Sequence, residues 1–171
     1  LYAPTWREYL GRRDNKPLYL DAEQLVAELP EAVVLVRGHY NATREPLAYD
    51  GRSRVVDVTR YPDIADLYLA ADVLVTDYSS VMFDFAITDK PIVLLTPDLA
   101  QYRDVERGFY FPLEERAPGP LVTDTAGVIA ALAAEDTRAS ARAAFREEFA
   151  PWDDGLAADR VVDRIADLAR W

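Results

Sequence analysis

Cysteine is absent from this chain, and histidine and methionine occur once each. The lack of cysteine excludes disulfide frameworks, thiolate metal sites and cysteine nucleophiles, and it fits a reducing compartment. No apolar run approaches the roughly 20 residues that span a bilayer. No secretory leader pattern is visible either. Neither a Gly-x-Gly-x-x-Gly fingerprint nor a Walker sequence occurs, which removes the dinucleotide and P-loop readings. Asp63 and Asp66 fall on one face of a predicted helix, but nothing completes a hard-cation cage around them. No metal and no cofactor is expected.

Positive charge is also scarce. The chain holds 19 Lys and Arg against 30 Asp and Glu, a net charge of −11. That balance argues against nucleic acid as a partner and against electrostatic docking on anionic lipid. The deficit is uneven. Residues 1–60 carry nine basic and nine acidic side chains, residues 61–111 carry three and nine, and residues 112–171 carry seven and twelve. The amino-terminal third is therefore locally neutral, with Arg7, Arg12, Arg13, Arg37, Arg44 and Arg60 available. An anionic ligand is best tolerated there.

What is present is a core-forming sequence. Half of the 171 residues are hydrophobic, which suits one domain with a real core. The chain opens directly on a strand-like segment, Leu1–Ala3, closed by Pro4, and so reads as a piece of something longer. Asp21 caps a helix with apolar positions Leu25, Val26 and Leu29, ended by Pro30. Val33–Val36 is a continuous apolar run, as a strand covered on both faces should be. The stretch 40–54 is polar, with a turn signal at Asp50-Gly51. Val55–Val58 is the next strand. Pro62 fits a first helical turn ahead of the stripe Ile64, Leu67, Tyr68 and Ala71.

Strands follow at Val73–Val75 and Pro91–Leu95, with a helix over Ser80–Ile87 between them. Residues 97–120 read as a long loop rich in Pro, Gly, Arg and aromatics, of the kind that is functional or mobile. Leu121–Val122 is a candidate edge strand, and helices are predicted over 125–134, 138–149 and 156–169. This alternation requires right-handed crossovers and a mainly parallel sheet. The expected fold is α/β, doubly wound and Rossmann-like, with helices on both faces.

The most informative segment is Val73-Leu74-Val75-Thr76-Asp77-Tyr78-Ser79-Ser80-Val81-Met82-Phe83-Asp84. A buried strand ends in a polar turn that opens a helix, and in an α/β domain that turn lies at the ligand-binding carboxyl edge. Ser79 or Ser80 can cap the helix, and the free N–H groups behind them favour an anion. From the residues alone the two readings stand level. Asp84 lies one turn beyond Ser80 on the same face and is either an exposed helix carboxylate or a ligand contact. Asp77 is expected to orient the turn, since a carboxylate beside a diphosphate repels it. His39 follows Arg37 and Gly38 just past a predicted strand, and is either an ordinary loop histidine or a proton-handling, phosphate-steadying group. Arg103 and Arg107 flank a loop tip, either clamping phosphate or balanced by Asp104 and Glu106.

Several of these segments occur together, in order. They are Leu1-Tyr2-Ala3-Pro4-Thr5-Trp6-Arg7, Val36-Arg37-Gly38-His39-Tyr40, Asp63-Ile64-Ala65-Asp66-Leu67-Tyr68-Leu69, the Thr-Asp-Tyr-Ser-Ser turn, Arg107-Gly108-Phe109-Tyr110 and Pro118-Gly119-Pro120. The combination resembles the carboxyl-terminal half of the CDP-glycerol glycerophosphotransferases, the teichoic-acid and capsule polymerases, over nearly the whole chain. The resemblance implies a GT-B-type donor-binding half-domain, residues 1–171, of a longer two-domain transferase. It implies transfer of glycerol phosphate from CDP-glycerol to a poly(glycerol phosphate) or lipid-linked acceptor, with CMP released.

The resemblance also distributes roles. His39 matches a histidine that contacts the donor phosphates or assists the departing nucleotide. Ser79 and Ser80 become diphosphate contacts, with Thr5, Trp6, Arg7, Arg37 and Thr76 as further substrate-binding positions. Asp84 resembles an acidic residue that binds ribose hydroxyls, and Arg107 is favoured over Arg103 as the phosphate clamp. A second family histidine, resembling the catalytic base, belongs to an amino-terminal half that this chain lacks. The full-length protein is then expected in the cytoplasm, peripheral at the inner face of the cell membrane. Two other classes share the layering. A nucleotide-sugar glycosyltransferase half-domain is not distinguished by Asp84 alone. A receiver-like regulatory module would use Asp77 and Lys90-Pro91, but Lys90 follows Asp77 by only 13 residues, too few for two intervening strand–helix units.

Overall fold

The computed structural model describes residues 1–5, 7, 19–38 and 53–169. Its strands are β1 (Val34–Val36), β2 (Val55–Asp57), β3 (Leu74–Thr76), β4 (Ile92–Leu95) and β5 (Leu121–Val122). The ladders β1–β2 and β3–β4–β5 are parallel throughout. The segment Leu1–Ala3 joins them, because Tyr2 bridges in parallel to Val36 on one side and Val75 on the other. Its backbone bonds alternate between the two neighbours: Tyr2 N–H donates to the Leu35 carbonyl at 2.8 Å and Ala3 N–H to that of Val75 at 3.0 Å. Across the sheet the order is therefore β2, β1, Leu1–Ala3, β3, β4, β5. Counted along the chain this is the 3-2-1-4-5-6 order of a doubly wound sheet, whose direction of winding reverses between Leu1–Ala3 and β3.

Strand alternation builds two cores. On one face Tyr2, Val34, Val36, Val75, Val93 and Leu95 meet helices α1 (Ala22–Glu28) and α6 (Thr125–Ala133) through Leu25, Val26, Val128 and Ile129. On the other, Ala3, Leu74, Ile92 and Leu94 meet α2 (Ile64–Ala70), α3 (Val81–Ala86) and α7 (Ala139–Phe149) through Tyr68, Met82, Phe85 and Phe145. Asp21 and Asp124 cap α1 and α6 by accepting from Gln24 N and Gly127 N. Pro62 does not enter the first turn of α2. Asp63 takes the cap by accepting from Ala65 N–H at 2.8 Å, leaving Pro62 one residue outside. The final helix, α8 (Ala157–Ala169), is exposed along its length, with Val161, Val162, Ile165 and Leu168 at the surface.

The stretch 97–120 is not the open loop expected from its composition. It holds α4 (Leu99–Gln101), a π-helical turn (Tyr102–Glu106) and α5 (Leu113–Arg116). Tyr102, Leu113 and Ala117 bury themselves in the second core, so proline and glycine here mark tight packing. Gly119 shows the reason: a Cβ at that position would stand 1.7 Å from the Ile92 carbonyl oxygen, so only glycine lets the chain lie against β4. Gly108 has φ +68°, which turns the chain out of the π-helical turn as the Tyr102 carbonyl accepts from both Arg107 N and Gly108 N at 3.1 Å. Among the described residues no helix is long and apolar enough to cross a membrane.

Candidate active site at the strand switch point

Parallel strands deliver their following residues to one edge. Thr5 and Arg7 follow the first segment, Arg37 follows β1, Asp77–Ser80 follow β3, and Asp98 follows β4. The crevice at the reversal point thus lies between Thr5 and the Asp77–Ser80 turn. Asp77 closes its floor. Its carboxylate accepts the Thr5 N–H at 2.9 and 3.0 Å and the Ser79 N–H at 3.2 Å, and pairs with Arg7 at 2.8 Å. It is 2% exposed. The role is the one expected of it, shaping the turn.

Arg7 departs from the expectation of an available cation. Its Nε and Nη2 donate to Asp98 at 2.7 and 3.2 Å, its Nη1 reaches Asp77 and the Thr5 carbonyl, and its guanidinium carbon lies 4.8 Å from the Tyr78 ring centroid. One buried cation faces two carboxylates, so Arg7 brings no net positive charge to the crevice. Burial opposes its charge, but the Asp98 hydrogen bond and the Asp77 and Asp98 carboxylates outweigh that and raise its pKa. The Tyr78 hydroxyl completes the network by donating to Asp98 at 3.0 Å. Burial, then Asp98, raises the Tyr78 pKa, so the phenol stays a donor. Tyr78 stacks on Tyr102 at 4.1 Å and leans on Phe109 at 5.5 Å. The π-helical turn and the residues after Arg107 are thereby anchored to the crevice floor.

Thr76 is the second correction. It is fully buried, and its hydroxyl donates to the Ala3 carbonyl at 2.7 Å, so it ties β3 to the first segment and offers no atom to a ligand. The serines differ. Ser80 occupies the N-cap position of α3 without making a side-chain cap bond, and it is exposed. Ser79 Oγ accepts from Val81 N–H at a long 3.5 Å. Neither hydroxyl is committed to capping in the way a structural serine would be. Thr5 adds a third hydroxyl, whose Oγ1 is buried and has no hydrogen-bond partner among the described residues. Such atoms are costly unless something completes them.

The remaining positions spread around the edge. Arg37 donates to the Val58 and Tyr61 carbonyls at 3.2 and 2.8 Å, clamping the chain after β2. Asp84 is exposed on the first turn of α3. Arg103 takes the balanced arrangement, bonding Asp104 at 2.8 Å and, in place of Glu106, Glu114 at 2.7 Å. Arg107 is exposed just past the π-helical turn. His39 and Trp6 lie outside the described residues, as do Arg12, Arg13 and Arg44. Lys90 lies at the other end of β4, its Nζ donating to the carbonyls of Tyr68, Leu69 and Ala71 and so closing α2. It sits across the sheet from Asp77, which removes the receiver-like reading. Among the described residues no group of three His, Cys, Asp or Glu could hold a metal.

The sequence profile of the CDP-Glycerol:Poly(glycerophosphate) glycerophosphotransferase family matches residues 1–167. The chain belongs to that family. It is 38% identical over 173 residues to the teichoic acid poly(glycerol phosphate) polymerase of Bacillus subtilis (strain 168), covering 96% of this chain and 23% of that protein. It is 39% identical over 173 residues to the teichoic acid glycerol-phosphate transferase of Staphylococcus aureus (strain NCTC 8325 / PS 47), covering 96% of this chain and 44% of that one. The structure of the wall teichoic acid polymerase TagF superposes with a TM-score of 0.82 at 34% identity, over 97% of this chain and 42% of that one. The chain thus spans less than half the length of each of these glycerophosphotransferases.

Proposed function

We propose that this chain is the donor-binding half of a GT-B-type, two-domain glycerophosphotransferase. It holds CDP-glycerol while glycerol phosphate passes to a poly(glycerol phosphate) or lipid-linked acceptor at the inner face of the cell membrane. The observation that carries this reading is the reversal-point edge, where Asp77 accepts from the backbone of Thr5 and Ser79, Ser80 makes no side-chain cap bond, and the buried Thr5 hydroxyl has no partner among the described residues. The family membership and the TagF likeness support it. The exposed apolar side chains of α8 and the share of each relative's length covered support a further half-domain in the complete enzyme.

In this reading the acceptor hydroxyl attacks the phosphorus that bears glycerol. The phosphoanhydride bond breaks, and CMP leaves with the bonding electrons. Little covalent work falls to the protein; positioning and charge stabilisation carry the rate. The serine hydroxyls and nearby N–H groups hold the diphosphate, and Arg107 approaches from the anchored loop. His39 serves the leaving phosphate. The proton of the acceptor goes to a base outside this half. Calorimetry with CDP, UDP, CDP-glycerol and CDP-ribitol tests the assignment. The expected order places CDP-glycerol tightest and UDP weakest. Equal affinity for CDP and UDP, or no binding of any, overturns it.

A further inference from the structure

Tyr78 stands in the middle of the polar turn after β3. Asp77 before it shapes the turn, and Ser79 and Ser80 after it open α3. Its own side chain leaves the polar surface and is buried. The hydroxyl is pinned to Asp98, beyond β4, at 3.0 Å. The ring centroid lies 4.1 Å from that of Tyr102 and 5.5 Å from that of Phe109. Tyr102 and Phe109 also stack on each other, with centroids 5.6 Å apart and planes at 27°. Three rings thus form one cluster, and Tyr78 is the member that belongs to the serine turn.

Arg107 lies in sequence between the other two rings, and its backbone is fixed from both sides. Before it, the Tyr102 carbonyl accepts the Arg107 N–H at 3.1 Å and closes the π-helical turn. After it, Gly108 at φ +68° turns the chain so that Phe109 comes back onto Tyr78 and Tyr102. The packing stops at the next residue, where Tyr110 is fully exposed. The Arg107 side chain is itself exposed. π-Helical turns are rare and concentrate at functional sites. Here the turn presents an exposed guanidinium on a segment clamped by packed rings.

We propose that Tyr78 is a positioning residue that sets Arg107 against the Ser79–Ser80 turn, so that the guanidinium and the turn close on the same donor diphosphate. The inference rests on the donor-binding reading above. Arg7 touches the turn but is balanced by Asp77 and Asp98, so a diphosphate there needs charge from another element. A guanidinium binds phosphate through a rigid fork, which makes its placement matter as much as its charge. Stacked rings supply that placement, because they are large, have few torsions and prefer defined geometries. In this role Tyr78 touches no atom of the donor. It acts through Tyr102 and Phe109, on either side of Arg107 in the chain.

Calorimetry with CDP-glycerol reads the coupling through a double-mutant cycle. Arg107→Ala should weaken binding roughly 10- to 100-fold, the span of a charge-assisted contact. Tyr78→Leu, which removes the ring, should bring a comparable loss, and the double variant should bind no worse than the weaker single one. Tyr78→Phe keeps the stack and should keep most of the affinity. Phe109→Leu, at a half-buried position, repeats the cycle where Tyr78→Leu fails to fold, and its loss should likewise vanish in the Arg107→Ala background. Losses that multiply in the double variants, or a loss in Tyr78→Phe equal to that in Tyr78→Leu, overturn the positioning role and leave donor binding intact. So does unchanged affinity in Arg107→Ala, or in Tyr78→Leu with a lowered urea midpoint, which would make the ring packing alone. A parent protein that binds neither CDP nor CDP-glycerol overturns the donor reading itself, and the positioning role with it.

Discussion

Asp98 accepts the Arg7 Nε at 2.7 Å across 91 residues of sequence, and the pair locks the exit of the first strand segment to the exit of β4. Asp77 stands on the other side of the same guanidinium at 2.8 Å. Three strand ends thus share one buried cation. The crevice floor is a single unit, and its shape depends on that cation staying in place.

Removing it should be costly. Arg7→Ala leaves two largely buried carboxylates facing each other, and breaking a buried pair costs about 3–5 kcal/mol. Arg7→Lys keeps the charge but loses the fork that spans both partners, and should fall between parent and Ala variant. Urea unfolding measures both. A loss below about 1 kcal/mol for Arg7→Ala would show that the network adds little to the fold.

Ser80 separates capping from binding. Since its side chain makes no cap bond, Ser80→Ala should leave the urea midpoint unchanged, where an ordinary cap would lose about 1 kcal/mol. Affinity for CDP should fall by roughly 0.5–3 kcal/mol, as for one neutral or charge-assisted hydrogen bond. The reverse pattern, lower stability with intact affinity, would return Ser80 to a structural role.

Alkaline pH should weaken the fold. Burial is the leading cause that raises Tyr2, Tyr68, Tyr78 and Tyr102, with Tyr68 reaching about 12. In the unfolded chain a phenol ionises near pH ~10. Through the window above that value the unfolded chain gives up protons that the native state keeps, so stability falls as pH rises. Tyr68→Phe should make the fall shallower between pH 10 and about 12. Identical slopes in the two proteins would assign the effect to the other tyrosines.

His39 is the proposed catalytic residue, and its test belongs in a complete two-domain enzyme. His39→Ala should lower turnover of CDP-glycerol by about 10²–10⁴-fold, the usual range for acid–base assistance. A donor with a better leaving group should recover much of the loss. An equal loss for good and poor leaving groups would remove His39 from the leaving side.

The sequence by itself determined the layering and the edge on which the site lies. The continuous apolar run Pro91–Leu95 reads as a strand covered on both faces, and all of Ile92–Leu95 is buried. Val33–Val36 reads the same way, but Val33 is exposed outside β1 and Leu35 only half-buried, while the short connections between strand and helix lead to parallel winding. Polar residues after each run then fall at one edge, which is the reason the sequence assigns Thr5, His39, Ser79, Ser80 and Arg107 to that edge. The tertiary structure decided which of them remain available. Thr76 and Arg7 look like ligand contacts in the sequence, but each finds a partner 73 and 91 residues away, in Ala3 and Asp98. The Thr5 hydroxyl, read from the sequence as facing the same edge, is buried and has no partner among the described residues. Local pattern fixes which way a side chain faces. Whether its polar atoms are already satisfied depends on contacts between distant segments, and those exist only once the sheet has closed.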